Sequence, residues 1–524
     1  MPESQNNFYI TTPLYYVNDR PHLGTAYCTI TADVLNRYHK LFGRQTCLLT
    51  GTDEHGQKCQ QAAEKRGLSP QEHCDDMVKA FKEAWQELYI DYDIFFRTTD
   101  PFHKEAVQAS LQQLYDKGEI YAKDYSGWYC VSDEMFYTEK DLIDGKTPDG
   151  KEVTWIEEKN YFFQMSKYQQ ALIDHIQSHP KFIQPESRRN EVLGFLRQPL
   201  ADLCISRPKS RLSWGVEIPF DRDYVTYVWF DALLNYATGV GFQQPDRKSE
   251  FARWWGQGDP SESSVHHLLG KDILTTHAVY WPAMLMALGA PLPRVIYAHG
   301  WILNKDAGKM SKSQGHVINP LDLKDIVGVD ALRYFLVRDI HLGNDAPISE
   351  ELIVGRSNTD LANNLGNLYS RTSNLIGKYF SGSTPSLESV GGDLGQSESA
   401  RSLQDMLLKT PELVRAEIEK FSPSRALEQV VLLLNQANKY LEETAPWKTA
   451  KEDLASAGQV LLLSLEVLRT AAVLLHPVMP YKMDDLLGRL GQAEAALNWD
   501  SLSKVPAIAA GTPIQKGEPL FPKI

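Results

Sequence analysis

The chain has 524 residues, too many for one hydrophobic core, and its length predicts about three or four domains. With 43% hydrophobic and 23% charged residues and a formal net charge of -13, it reads as an ordinary globular protein and not as one that coats nucleic acid nonspecifically. No apolar run reads as long enough to cross a bilayer, and the N-terminus lacks the parts of a secretory signal. Six cysteines, scattered without a Cys-x-x-Cys pair, fit neither a disulfide framework nor a four-thiolate zinc site, so reduced thiols and a cytoplasmic location are expected.

In chain order, FYITTPLYYV (8–17) and QTCLLTGT (45–52) are rich in β-branched and aromatic residues, and ITADVLNRYHKLFG between them has helical periodicity ending in Gly. That is a β-α-β unit and predicts a parallel sheet, the first half (1–115) of a Rossmann-like domain. Residues 116–225 change texture, with aromatics and turn formers in SGWYCVSDEMFY and DGKTPDGKEVTW, and read as a β-rich connective insertion. VHHLLGKDI, HAVYWPAMLMALG and RVIYAHGWIL then supply a second strand-helix-strand set in 226–320, so the parallel sheet is split. After a linker or stem-contact region (321–355), residues 356–524 carry long Leu/Val/Ala stripes such as ALEQVVLLLNQANKYLEE and read as a helical bundle. Within it, the Ser/Gly-rich 381–399 reads as a surface loop. The fold class is therefore α/β plus all-α.

Two short stretches carry phosphate chemistry. His22-Leu23-Gly24-Thr25 sits where a strand turns into a helix, and a Gly there lets a phosphate approach unpaired N–H groups at the positive end of the helix dipole. Lys309-Met310-Ser311-Lys312-Ser313, between Gly308 and Gly315, puts two cations among hydroxyls, which suits a polyphosphate whose charge grows during displacement. Taken singly, the first is also a plain turn and the second a solvated basic one. No P-loop and no dinucleotide fingerprint is present, so a different way of holding a nucleotide is needed.

HLGT and KMSKS resemble the two signatures of the class I aminoacyl-tRNA synthetases. TTPLYYVNDRPHLG, TGTDEHG, VWFDALLNY, GKDI followed by HAVYWPA, and LANNLGNLYSR narrow the resemblance to the methionyl-tRNA synthetase family, in its block order and over most of the chain. Read from spacing alone, Trp229, Ala232, Leu233 and Tyr236 share one side of a helix, and either wall a pocket or form a core face. The resemblance implies the pocket: Leu14, Tyr16, Trp229, Ala232, Leu233, Tyr236, Ile273, His277 and Trp281 around a methionine side chain, with Asp53 on its ammonium. It also implies that His22, Gly24 and Thr25 serve the phosphates of ATP with Mg2+, that Lys309 and Lys312 hold pyrophosphate, and that Gly270 and Asp272 lie at the nucleotide. Arg207 is expected near the reacting carboxylate and phosphate, and His22, Lys309, Lys312 and Arg207 form the implied catalytic set.

For tRNA(Met), the resemblance implies anticodon contacts from Asn367, Arg371 and Trp447, the first two four apart on one helix face. A basic set, Arg188, Arg189, Arg197, Arg207, Lys209 and Arg211, is a candidate for the acceptor end. The chain departs from the family twice. Thr25 stands where the fuller motif has a second histidine, and the insertion keeps only Cys130 of the zinc knuckle, so no structural zinc and no protein-ligated metal site are expected. A monomer without membrane contacts is expected. Another class I synthetase, a nucleotidylyltransferase and a noncatalytic tRNA-binding paralogue are the competing readings.

Overall fold

The computed structural model describes residues 6–130, 135–256, 262–303, 319–492 and 497–524. Its contacts divide the chain into two compact units, one of Met1–Pro21, Gln45–Gln86 and Asp91–His299, the other of His22–Arg44, Glu87–Ile90 and Gly300–Ile524. These units cut across the boundaries read from the sequence. The helix Leu23–Leu41, expected in the first half of the catalytic domain, falls in the second unit.

In the first unit a six-stranded parallel sheet runs in the order Ile94–Arg97, Gln45–Asp53, Asn7–Tyr16, Val265–Gly270, Val295–His299, Ile183–Gln184. The two strand sets meet where Tyr9 pairs with Val265 and Thr11 with His267. That junction reverses the strand order, and open α/β sheets place ligands beyond the C-terminal strand ends at such a point. Apolar side chains from both sets, including Tyr9, Leu49, Phe96, Phe230, Trp255 and Ile296, share one core.

The strand Asn7–Tyr16 carries a bulge: Thr11 pairs with Leu49 but Leu14 with Gly51, so one extra residue sits at Thr12-Pro13. Side chains alternate with period two along a strand, so the extra residue moves Leu14 and Tyr16 to the opposite face from a continuous register. The Thr12 hydroxyl secures the bulge by donating to Thr50 Oγ1 at 2.8 Å.

The stretch 116–225 is less uniformly β than its composition suggests. Antiparallel strands Ile120–Cys130 and Thr154–Phe163 dominate it, but the helices Gln169–Ser178 and Glu186–Phe195 follow, and Ile183–Gln184 between them joins the main sheet. Leu172 and Ile176, four apart and buried, supply the first of those helices with its core contact. None of the six cysteines is in a disulfide, though Cys59 and Cys74 bring their sulfurs to 3.2 Å.

The second unit is mostly helical. Its helix Leu454–Leu475 is, by length and composition, apolar enough to span a membrane, which corrects the reading that no such run exists. The apolarity has another cause here: the helix is buried all round as the bundle's central element, with Glu466 and Arg469 paired inside it at 2.9 Å. Residues 381–399 are likewise more than a surface loop, since Val390 and Leu394, 1% and 3% exposed, pack on Leu462.

Arg333, fully buried, fixes the helix Leu23–Leu41 in this unit. It donates to Asp33 Oδ2 at 2.5 Å and to the carbonyls of Leu88, Tyr89, Pro477 and Val478, while Arg37 donates to the same carboxylate at 3.0 Å. Replacing one partner of a buried pair strands the other charge. Arg333→Met should therefore cost about 3 kcal/mol or more of folding free energy, read as a lowered urea midpoint.

Candidate active site

Asp53-Glu54-His55 runs off the end of the strand next to the switch point, and its three side chains do three different jobs. Asp53, 2% exposed, is the last residue of Gln45–Asp53 and pairs in register with Tyr16. It caps no helix, because the next one, Gln57–Arg66, begins after Gly56. Glu54 is fully buried and holds Arg97 through both oxygens at 2.7 and 2.9 Å. His55 Nδ1 lies 2.6 Å from Asp231 Oδ2, and the other oxygen of Asp231 takes His103 Nε2 at 2.8 Å.

Burial opposes a charge on Asp231, but the two imidazoles outweigh it and hold the carboxyl down to about 2. An ionised carboxylate only accepts, so both histidines donate to it. Asp231 lies near the start of the helix Val228–Thr238, and His103 Nδ1 also meets Thr238 Oγ1, at the helix end, at 2.8 Å. The helix carrying Trp229, Ala232, Leu233 and Tyr236 is thus clamped at two points. Sequence reasoning missed this clamp, whose only signal was an Asp in the otherwise apolar WFDALL.

Along that helix an aromatic cage forms. Tyr16 meets Trp229 edge-on at 6.5 Å, Trp229 meets His277 at 5.9 Å, and Tyr236 meets Trp281 at 6.1 Å. Ala232, Leu233, Tyr236, His277 and Trp281 are buried, whereas Leu14, Tyr16, Trp229 and Ile273 are half-buried. His277 sits in a π-helical turn, Thr276–Tyr280. Its Nδ1 is 2.9 Å from Ile273 O, which can only accept, so Nδ1 carries the proton and Nε2 accepts from the Tyr236 hydroxyl at 2.8 Å. Burial pushes His277 down to about 4, so the ring is neutral near pH 7. Behind it, the Trp281 indole donates to His267 Nε2 at 3.1 Å, and His267 Nδ1 then donates to Thr11 Oγ1 at 2.7 Å. The cage is polarizable and uncharged, which suits a thioether chain.

Gly270 ends the strand Val265–Gly270 and precedes the short turn Lys271–Ile273. A Cβ there would lie 2.5 Å from Asp272 Oδ1, so the glycine permits the carboxylate's position. Arg207 is not among the cage residues. It is 3% exposed, donates to Ser206 O at 2.8 Å and lies over the rings of Tyr227 and Tyr129 at 4.7 and 5.4 Å. Tyr227 immediately precedes the cage helix. Of the six residues of the basic set, three, Arg188, Lys209 and Arg211, pair with Glu191, Glu217 and Glu158 at 2.6, 2.5 and 2.8 Å, which offsets half of the expected cationic surface.

In the second unit, His22 is the N-cap of Leu23–Leu41. Its Nδ1 accepts from Gly24 N at 3.1 Å and Thr25 N at 3.4 Å, so the ring proton resides on Nε2. Thr25 completes a capping box: its hydroxyl accepts from His22 N at 3.0 Å and donates to His22 O at 2.7 Å. The hydroxyl expected to serve a phosphate is engaged in the turn itself. Lys309 and Lys312 lie outside the described residues.

Asn367 opens the helix Asn367–Tyr379, and Arg371, one turn on, lies over the Trp447 ring at 5.2 Å. Trp447 follows a break in which Ala445 adopts a positive φ of 43° before the short helix Pro446–Thr449. Asn367 thus stands one helical turn before the Arg371–Trp447 pair, and with Ser370, Asn374 and Lys516 it borders a cleft of about 480 Å3.

The family model described as tRNA synthetases class I (M) matches residues 8–154 and 140–373, and that of the anticodon binding domain of methionyl tRNA ligase matches 389–524. The methionine–tRNA ligase of Caldanaerobacter subterraneus is 43% identical over 99% of this chain and 79% of its own length. That of Clostridium acetobutylicum is 44% identical over 99% and 78%. A solved structure of Mycobacterium tuberculosis methionyl-tRNA synthetase in complex with methionyl-adenylate aligns with a TM-score of 0.92 at 39% identity, covering 99% of this chain and 100% of that one.

Two consequences of the buried polar groups are measurable. Asp231→Asn removes the charge that both imidazoles face and should cost about 3 kcal/mol in urea unfolding. For His277, the unfolded side chain titrates near its ordinary value of about 6.5, but the folded one only at about 4. Between those values the unfolded chain binds the extra proton, so stability should fall as pH drops through that window and be flat above it. Urea midpoints measured across it should show a shallower fall in His277→Asn.

Proposed function

Because the chain belongs to the methionyl-tRNA synthetase family of class I aminoacyl-tRNA synthetases, we infer the residue roles of its reaction from the geometry above. The enzyme activates methionine with ATP and transfers the methionyl group to the 3′ end of tRNA. The methionine carboxylate attacks the α-phosphorus in line, one P–O bond forms as the bond to pyrophosphate breaks, and the adenylate results. A terminal ribose hydroxyl then attacks the acyl carbon and AMP leaves. The substrates supply both nucleophiles, so the protein's task is positioning and charge stabilisation.

The cage of Tyr16, Trp229, His277, Tyr236 and Trp281, with Leu14, Ala232, Leu233 and Ile273, holds the methionine side chain, and Asp53 takes the ammonium. The observation that carries this reading is the neutral His277-Tyr236 pair in an otherwise aromatic wall, next to a strand end that bears a buried carboxylate. Water is kept from a thioether there, and the paired polar atoms are already satisfied. His22 offers an Nε2 proton to the phosphates, a donor whose direction the capped turn fixes. Asp272 accepts from the ribose hydroxyls.

Lys309 and Lys312 neutralise the departing pyrophosphate, and Mg2+ accompanies ATP through the phosphate oxygens. Arg207 acts at one remove, packing against Tyr227 to seat the cage helix. Asn367, Arg371 and Trp447 read the anticodon of tRNA(Met). The insertion works without zinc. Supporting that, Tyr129, next to Cys130, lies under the guanidinium groups of Arg207 and Arg211, surroundings hostile to a dication. A monomeric, cytoplasmic enzyme goes with this reading.

Methionine-dependent ATP–pyrophosphate exchange tests the assignment. Lys312→Ala should lower it about a hundredfold or more, the scale of one lost transition-state donor, with the unfolding midpoint unchanged. Near-normal exchange would remove Lys312 from the mechanism.

A further inference from the structure

Next to Asn367 the bundle contains four asparagines arranged as two facing pairs. Asn364 and Asn367, three apart, face Asn435 and Asn438, also three apart, on the helix Pro423–Thr444. Asn364 Nδ2 donates to Asn435 Oδ1 at 2.8 Å, Asn438 Nδ2 donates to Asn364 Oδ1 at 2.8 Å, and Asn367 Nδ2 donates to Asn438 Oδ1 at 3.2 Å. Carboxamides usually have no preferred end, but this ladder does. The Asn438 amide nitrogen also faces two backbone carbonyls, Leu434 O at 3.1 Å and Asn364 O at 3.3 Å. Carbonyls only accept, so the nitrogen of Asn438 must point to them and its oxygen must point to Asn367.

The polarity passes along the chain. Asn367 has to present its NH2 to Asn438, which leaves its own carbonyl oxygen turned the other way. Asn367 borders the cleft and stands one turn from the Arg371-Trp447 stack, so a base reaching it meets an acceptor and not a donor. An exocyclic amine satisfies an acceptor there, cytosine through N4, adenine through N6 or guanine through N2, whereas the donor of uracil is its ring N3–H, one position removed from the cytosine amine. Uracil offers a carbonyl at the place where cytosine has its amine, and two carbonyl oxygens facing each other are left unpaired. The first anticodon base that pairs with the methionine codon AUG is a cytosine.

We propose that Asn438 is a positioning residue for anticodon discrimination, fixing the Asn367 carboxamide so that it accepts from the amine of the first anticodon base and rejects a carbonyl in its place. Asn364 and Asn435 extend the same ladder and hold Asn438 from behind. This rests on the reading of Asn367 as an anticodon contact.

The test compares charging of two unmodified tRNA(Met) transcripts, C34 and U34, as the ratio of their kcat/KM values. In Asn438→Leu the Asn367 amide is released to turn, and the C34/U34 ratio should fall about tenfold, the size of one oriented hydrogen bond to a base edge. Asn438→Ser, too short to reach Asn367, should do the same and guards against a misfolded leucine variant. Asn367→Ala should lower the ratio as well, and adding Asn438→Leu to it should lower the ratio no further, since both act through one contact. Equal losses on both transcripts in the Asn438 variants, or additive effects in the double variant, would make Asn438 a packing residue and overturn the proposal. An unchanged ratio in Asn367→Ala would overturn it together with the anticodon reading beneath it.

Discussion

A single buried carboxylate governs the aromatic cage. Asp231 receives an imidazole on each oxygen, from His55 on the loop after one strand and from His103 on a helix, and so fixes the helix whose side chains form the cage. A buried charge of this kind is tolerable only when fully paired, and that requirement leaves the helix little freedom. The rotation of Trp229 and Tyr236 about the helix axis follows from where Asp231 must be. Tyr236 then sets the acceptor side of His277, and the backbone carbonyl of Ile273 sets its donor side.

The same logic recurs wherever a side chain with two possible polarities matters. Backbone groups have fixed roles, and they fix those of their neighbours: Ile273 O orients His277, the N–H groups of Gly24 and Thr25 orient His22, and Leu434 O orients Asn438. None of these contacts is worth much more than about 1 kcal/mol by itself. Their value lies in deciding which atom of each side chain donates and which accepts, and a polarity preset in that way is passed on to the next group without reorganisation.

Much of this was legible in the sequence, for reasons that also explain what was not. The strands at 8–17 and 45–52 and the bundle helices announce themselves by local periodicity; the spacing of three, four and seven puts Trp229, Ala232, Leu233 and Tyr236 on one face of Val228–Thr238, but only the family resemblance made that face a pocket. Local pattern cannot see partners 128 or 176 residues away, which is the separation of Asp231 from His103 and His55. Nor can it separate a helix that is apolar because it is enclosed from one that is apolar for a bilayer, as with Leu454–Leu475. Thr25 misled for a subtler reason: its hydroxyl had two uses, and the nearer one, the cap, took it. Lys209 and Arg211 of the insertion counted as cations in sequence because their glutamates, Glu217 and Glu158, lie on other strands.

Among the described residues, the π-helical segments Thr276–Tyr280 and Ser357–Gly366 carry His277 and Asn364. A π turn holds one residue more than an α turn, and losing that residue would rotate whatever follows by about 100° about the helix axis. His277 would swing from Tyr236, and Asn364 from Asn438, with no change in the kinds of residue present. At these two places the chain's register is counted and not merely composed: a substitution is a local event, whereas a one-residue gap re-aims an entire helix. Loops elsewhere absorb changes of length, but these turns convert length directly into orientation.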